Sequence, residues 1–158
     1  KRDPILPRFP TGDGRDENAE LAHALADERF GSVQCSLSLV DRANAAQLPT
    51  PKGVLLKRAL AGLAWARPQR PDDFCEGQYW DRWQAMQLPD LGLPWPEVAL
   101  RFAAFQPGAS SLLLGTQRLA NLRSAQAALA CGPLAAEQLQ ALQQRWQAVG
   151  GSDWPGLV

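Results

Sequence analysis

Histidine, tyrosine and cysteine are scarce in this sequence, and their scarcity excludes several kinds of site. Among 158 residues there are one histidine, one tyrosine and three cysteines. The single histidine, His23, excludes a metal site built from several imidazoles. The cysteines, at positions 35, 75 and 131, are far apart and never in CxxC spacing. This distribution favours reduced thiols over disulfides or a zinc site.

Charge is balanced and no apolar run is long, which bounds the partners of the chain. Lys plus Arg and Asp plus Glu number 16 each, so the basic excess typical of nucleic-acid binders is missing. No apolar run approaches the roughly 20 residues that span a bilayer, and the opening KRDPILPRFP lacks the apolar stretch of a signal peptide. With 46% apolar residues, the sequence predicts a globular cytoplasmic protein with no nucleic-acid or membrane partner.

One domain is predicted over residues 1–158, with a loop over 1–15 and a tail over 151–158. The opening loop contains TGDG, whose GxG favours a turn over a dinucleotide fingerprint because no strand precedes it. The chain starts at Lys1 and not at a methionine. We therefore expect it to be part of a longer gene product or a trimmed one.

Hydrophobic periodicity predicts strands that alternate with helices. The expected helices cover residues 16–30, 79–88, 95–106, a segment after 118, and 133–149. The expected strands cover residues 32–40, a segment from 53, and 110–114. Leucine- and valine-rich strands between helices indicate an α/β fold with a parallel sheet, but three strands are too few for a complete (β/α)8 barrel of roughly 250 residues.

Several side chains are assigned to faces by this periodicity. Ser36 and Ser38 are expected on a polar face of the first strand, whereas Phe105 and Leu139 are expected on the buried faces of their helices. His23 is interpreted as a helix-surface residue in preference to a catalytic acid or base, since the sequence places no carboxylate or nucleophile around it.

The third strand ends in a turn that favours anion binding. Leu112 to Leu114 stop at Gly115-Thr116, and a helical segment follows. A glycine lets the backbone approach a ligand closely, and the N–H groups at a helix start attract negative charge.

Three segments resemble, in order, the carboxyl-terminal half of the aldo-keto reductases. They are SVQCSLSLVDR, GVLLKRALAG and EVALRFAAFQPGASSLLLGTQRLANLRSAQAAL, and the resemblance runs from about Asp16 to about Trp146. It implies the second half of a TIM (β/α)8 barrel. Members of that family use a nicotinamide cofactor, usually NADPH, to reduce aldehydes and ketones.

The resemblance also implies where the cofactor would lie. Gln34 matches the glutamine that contacts the nicotinamide carboxamide. The second segment would follow the pyrophosphate, and the third would meet the 2′-phosphate and adenosine. The implied contacts are Gln34, Lys57, Arg58, Leu60, Gly62, Gly115, Thr116, Arg118 and Asn121. From residue type alone, Lys57 and Arg58 also suit a solvated rim.

Two departures from the family pattern concern the same cofactor. Lys57 stands where many members have an aromatic residue, and Ser124-Ala125 stand where many have Glu-Asn gripping adenine. No residue matches the family's catalytic tyrosine, lysine, aspartate or histidine, because Tyr79 and His23 lie at other positions. We therefore assign no catalytic residue.

Three hypotheses remain open at the level of sequence. The chain is the carboxyl half of a longer NADPH-dependent reductase of a small carbonyl substrate, with residues 63–78 as the candidate specificity loop. Alternatively, it is a non-catalytic, reductase-derived binding or assembly subunit, whose open strand edges require a partner or self-association. The third hypothesis is an unrelated α/β binding module, which predicts no barrel strands at the three matched segments.

Overall fold

A three-stranded parallel sheet is the centre of the fold. The computed structural model describes residues 17–157. The strands are β1 (Ser32–Ser36), β2 (Gly53–Lys57) and β3 (Ser111–Leu112), with β2 in the middle. Both pairings are parallel. The predicted α/β class with a parallel sheet is thus confirmed, and strands lie in all three segments that resemble the barrel family.

Within the described residues, five helices flank this sheet. They are α1 (Glu17–Ala26), α2 (Phe74–Met86), α3 (Trp95–Ala104), α4 (Leu119–Ala130) and α5 (Ala136–Ala148). Helix α3 starts with a proline in its first turn, as expected from that residue's fixed φ. It packs against β3 and α4, while α1 packs on β1. Short 3₁₀ turns occupy Ala45–Gln47, Ala61–Ala66 and Gly151–Asp153.

The two faces of the sheet differ in cover. Val33, Cys35, Val54 and Leu56 are at most 2% exposed and belong to the core beneath the helices. On the opposite face Gln34 is exposed, and Leu113, just past β3, is 41% exposed. Within the described residues the sheet is therefore covered on one side, as in one wall of a barrel whose interior lies on the other.

The first strand is shorter than predicted. Its alternation was expected to continue to residue 40, but β1 ends at Ser36, opposite Lys57, the last residue of β2. Beyond this point Ser38 forms an isolated antiparallel bridge with Asp41. The polar face predicted at Ser36 and Ser38 is not open to solvent, because both side chains are fully buried at the end of the sheet.

The predicted long loop after β2 is also wrong in part. It was expected over residues 63–78, but α2 begins at Phe74 and a 3₁₀ segment covers Ala61–Ala66. The side chain of Asp73 caps α2 by accepting the N–H of Glu76 at 2.9 Å. An acidic cap with a glutamate three residues later is a helix-start pattern, which the surrounding prolines and arginines obscured.

Three other helix assignments need correction. The first helix ends at Ala26 and not at residue 30, and Phe105 lies just after α3 with 46% of its side chain exposed. Leu139 is 38% exposed, whereas its helix neighbours Leu142 and Trp146 are buried. Amphipathic spacing alone did not reveal that α5 contacts the core only through the second half of its apolar stripe.

A half-buried arginine links the loop after β1 to two helices. The Arg42 guanidinium lies 4.6 Å from the ring centres of both Phe102 and Trp146. It also donates to the carbonyls of Leu39 and Leu142. Burial lowers the pKa of Arg42 to about 9. The aromatic faces and carbonyls thus stabilise a cation that has lost most of its water.

Candidate functional site

The carboxyl ends of all three strands meet at one edge of the sheet. Ser36 and Lys57 end β1 and β2 side by side, and Leu113 donates its N–H to the Leu56 carbonyl at 2.8 Å. In parallel α/β folds and barrels this edge is where ligands bind, because the loops that follow the strands converge there. Every residue predicted as a cofactor contact lies on these strands, in the loops that follow them or in the first turn of α4.

The turn after β2 has an unusual backbone. Arg58, Ala61 and Leu63 have positive φ values of 59°, 45° and 57°, and Gly62 between them has 60°. Non-glycine residues rarely adopt this region, and such strain clusters at binding and catalytic sites. The turn is fixed from outside, since Arg67 donates to the Gly62 carbonyl at 3.2 Å. Of these four positions, only the glycine at position 62 is a residue type that indicates a positive φ from sequence.

The two basic residues at this turn lie in different environments. Lys57 is half-buried beside Ser36, on the open face of the sheet. Arg58 is half-buried, and its NH1 donates to the carbonyl of Leu157 at 3.1 Å. Arg58 is therefore not a simple solvated rim residue, because its guanidinium holds the end of the described chain.

The turn after β3 forms a small polar cluster. The Thr116 hydroxyl accepts the Arg118 N–H at 3.2 Å and the Asn121 side-chain amide at 3.3 Å. Gly115 and these three residues are exposed. Helix α4 begins directly after Arg118, and no side chain caps its first turn. The first amide groups of an uncapped helix are well suited to bind an anion.

The predicted cofactor contacts thus fall into three neighbouring groups. Gln34 is exposed on the open face of β1, opposite Leu55. Lys57, Arg58, Leu60 and Gly62 form the end of β2 and its strained turn. The remaining four, Gly115, Thr116, Arg118 and Asn121, form the turn after β3 and the start of α4. Because β2 neighbours both other strands, it joins the groups into one continuous edge.

A buried polar cluster beside this edge was missed by sequence reasoning. Asp41 is fully buried, and its Oδ2 accepts the Tyr79 hydroxyl at 3.3 Å and the Leu157 N–H at 3.2 Å. Arg82, 5% exposed, donates to the carbonyls of Val40 and Pro155. Pairs separated by 38 to 116 residues leave no local pattern, so only the folded chain reveals them.

None of the three residue types considered for acid–base or nucleophilic chemistry lies open at the site. Tyr79 is 2% exposed and donates to Asp41, while His23 is exposed on α1, in line with its interpretation as a surface histidine. Burial raises the pKa of the Cys75 thiol, which disfavours the reactive thiolate. Within residues 17–157 there is no His/Cys/Asp/Glu cluster suited to a metal ion. Over the same range no helix has the length and apolar character to cross a bilayer.

The donors at the edge fit the phosphate end of a dinucleotide. The Thr116 cluster offers a hydroxyl, an amide and a guanidinium beside an uncapped helix start, and Lys57 and Arg58 add two cations at the next strand. The adenine end fits less well. Ser124 donates to the Ala120 carbonyl at 3.0 Å within α4, and Ala125 is 6% exposed, so neither replaces an acidic and amide pair.

Comparison with solved structures identifies the architecture. The aldo-keto reductase AKR11C1 from Bacillus halodurans superposes in its holo form with a TM-score of 0.63 at 18% identity, and in its apo form with 0.64 at 17%. The match covers 82% of this chain in both cases. This chain spans about half the length of that reductase, 47% and 48% in the two forms. No protein-family model and no curated protein matches significantly. The chain thus has an aldo-keto-reductase-like fold, present as a partial barrel, and strands lie at the three matched segments, contrary to what the hypothesis of an unrelated α/β module predicts.

Proposed function

We propose that this chain is the cofactor-binding half of a cytoplasmic, NADPH-dependent oxidoreductase that reduces aldehydes or ketones. The observation that carries the proposal is the single edge at which three strand ends bring together basic, amide and hydroxyl groups beside an uncapped helix start. The fold match supports the same assignment, because it aligns this chain with about half of a reductase.

Each group of residues has a distinct role in this proposal. Gln34 orients the nicotinamide amide through its own side-chain amide. Lys57 and Arg58 neutralise the pyrophosphate, and the strained turn through Gly62 brings backbone N–H groups close to it. Thr116, Arg118 and Asn121 bind the 2′-phosphate and adenosine. NADPH, when bound, supplies the hydride.

Proton donation must come from outside the described residues. Tyr79 is enclosed and hydrogen-bonded to Asp41, and His23 lies on the surface of α1. A general acid has to reach the substrate oxygen within hydrogen-bond distance. We therefore assign the catalytic acid, and the small carbonyl substrate it serves, to the other half of the barrel.

The open face of the sheet supports the proposal that this chain is only one half of the functional protein. Leu113 is 41% exposed, and the outer edges of β1 and β3 lack a described neighbour within residues 17–157. Unpaired strand edges beside an exposed leucine require cover. Either the other half of the same polypeptide, a partner protein or a second copy of the chain provides it.

A binding experiment on the complete polypeptide tests the function. We expect NADPH to quench tryptophan fluorescence, and Arg118→Ala to weaken NADPH about tenfold while changing NADH much less, because only NADPH carries the 2′-phosphate. Arg123→Ala, a second exposed arginine of α4, is the matched control and should leave both affinities unchanged.

Turnover separates the two remaining hypotheses. NADPH oxidation with an aldehyde or ketone supports the reductase. Binding without turnover on a broad carbonyl panel supports the non-catalytic subunit instead. Two observations favour the non-catalytic subunit. Lys57 stands in place of an aromatic residue, and Ala125 is buried where an adenine contact is expected. Absence of NADPH binding contradicts the cofactor site itself.

A further inference from the structure

The last described residues lie across the carboxyl ends of β1 and β2. The Leu157 N–H donates to Asp41 at 3.2 Å, and its carbonyl accepts from the Ser36 hydroxyl and from Arg58, both at 3.1 Å. Its side chain is 5% exposed. This segment, residues 154–157, is here named the strap.

Two helices anchor the strap. Arg82 of α2 donates to the Pro155 carbonyl at 2.8 Å and lies 5.2 Å from the Trp154 ring centre. The Trp154 indole packs edge-on against Trp146 of α5, with ring centres 5.2 Å apart. These contacts hold the strap at several points, so its position is defined by specific interactions.

The strap occupies part of the edge assigned to the dinucleotide. Ser36 shares a face of β1 with Gln34 and lies two residues further toward the carboxyl end, about 7 Å away. Arg58, a proposed pyrophosphate contact, donates NH1 to the strap. The Leu157 carbonyl and a phosphate oxygen would therefore compete for the same guanidinium.

We propose that the strap is an intramolecular competitor of the cofactor, released from Ser36 and Arg58 when the dinucleotide binds. The inference rests on the proposed cofactor site and adds a regulatory element to it. A phosphate oxygen is a stronger acceptor for a guanidinium than a neutral carbonyl, which favours the exchange. The dissociation constant of the protein for the cofactor is therefore raised by a factor equal to the reciprocal of the fraction of time that the strap is open.

Weakening the strap should strengthen NADPH binding. In the complete polypeptide, Trp154→Ala removes the contact with Trp146, and Leu157→Ala removes the buried side chain. Neither residue is a proposed cofactor contact. We expect each variant to lower the NADPH dissociation constant roughly tenfold. This is the change expected if the strap is closed most of the time in the wild-type protein and open most of the time in the variant. Leu139→Ala is the control, because that side chain is 38% exposed on α5 and is neither part of the strap nor a proposed cofactor contact.

Hydrogen exchange at the Leu157 amide gives a readout independent of affinity and turnover. This amide donates to Asp41 in the closed strap, and we expect saturating NADPH to accelerate its exchange. Slower exchange with NADPH, or unchanged affinity in both strap variants, overturns the inference and leaves the cofactor site standing. Absence of NADPH binding by every variant removes the cofactor site, and the inference falls with it.

Discussion

At the scale of single residues, the most constrained position described is Gly108, in the turn that leads into β3. Its φ is +88°, and a Cβ there would overlap the Leu48 carbonyl. Both the backbone region and the close approach therefore require glycine. The turn connects α3 to the strand that precedes the Thr116 cluster, so its geometry determines where that cluster lies.

Gly108→Ala should destabilise the protein by about 3 kcal/mol, since it combines an unfavourable backbone conformation with a steric clash. Gly92→Ala is the matched control: φ there is +71°, but no atom lies within 4 Å of the added Cβ. It should cost only about 1 kcal/mol. Urea unfolding of both variants measures the difference, and equal losses would contradict the proposed overlap.

Arg42 provides a second residue-scale prediction. Arg42→Lys keeps the positive charge but loses the planar group that lies against Phe102 and Trp146 and donates to two carbonyls. We expect a loss of about 2 kcal/mol in the free energy of unfolding. Arg123→Lys on the exposed face of α4 should be neutral. An unchanged free energy of unfolding in Arg42→Lys would show that charge alone matters at this position.

At the scale of elements, the sequence predicted which segments form strands and helices better than where they end. Proline in the first turn and clear periodicity determined the start of α3 correctly, although the helix ends at Ala104 and not at residue 106. The end of β1 depends on β2, whose ladder stops at Lys57 because Arg58 turns away with positive φ. Alternation within one strand carries no information about the length of its neighbour, so the predicted strand ran too far.

Helix α2 offers a direct test of an element boundary. Asp73→Ala removes the cap on the Glu76 N–H and should cost about 1 kcal/mol. Asp72→Ala, one residue earlier and equally exposed, is the control and should cost little. Thermal unfolding monitored by circular dichroism compares the two. Equal melting temperatures of the two variants would show that the Asp73 side chain does not stabilise the start of α2.

At the scale of the whole molecule, resemblance indicated the partial barrel, but the contacts that complete its edge were not predictable. The Asp41, Tyr79 and Leu157 cluster joins three distant parts of the chain. The exposure of Leu113 likewise could not be predicted from the leucine run. It follows from the absence of cover on one sheet face within residues 17–157. The candidate cofactor residues come from the family resemblance and stay a prediction, although the structure brings them to one edge of the sheet.

The open face predicts self-association when these 158 residues are produced alone. Leu113→Asp should shift the population toward monomer, because it places a charge on the exposed sheet face. Leu139→Asp, on the outside of α5 with a similar exposure of 38%, is the control. Sedimentation velocity at several concentrations measures both. A wild-type chain that stays monomeric throughout would contradict the need for cover.

The most direct test of the central claim is a crystal structure of the complete polypeptide with NADPH. We predict phosphate oxygens within hydrogen-bond distance of the turn after β2 and of the cluster formed by Thr116, Arg118 and Asn121, with the nicotinamide amide at Gln34. A cofactor bound away from these strand ends, or an empty edge at saturating NADPH, would contradict the account.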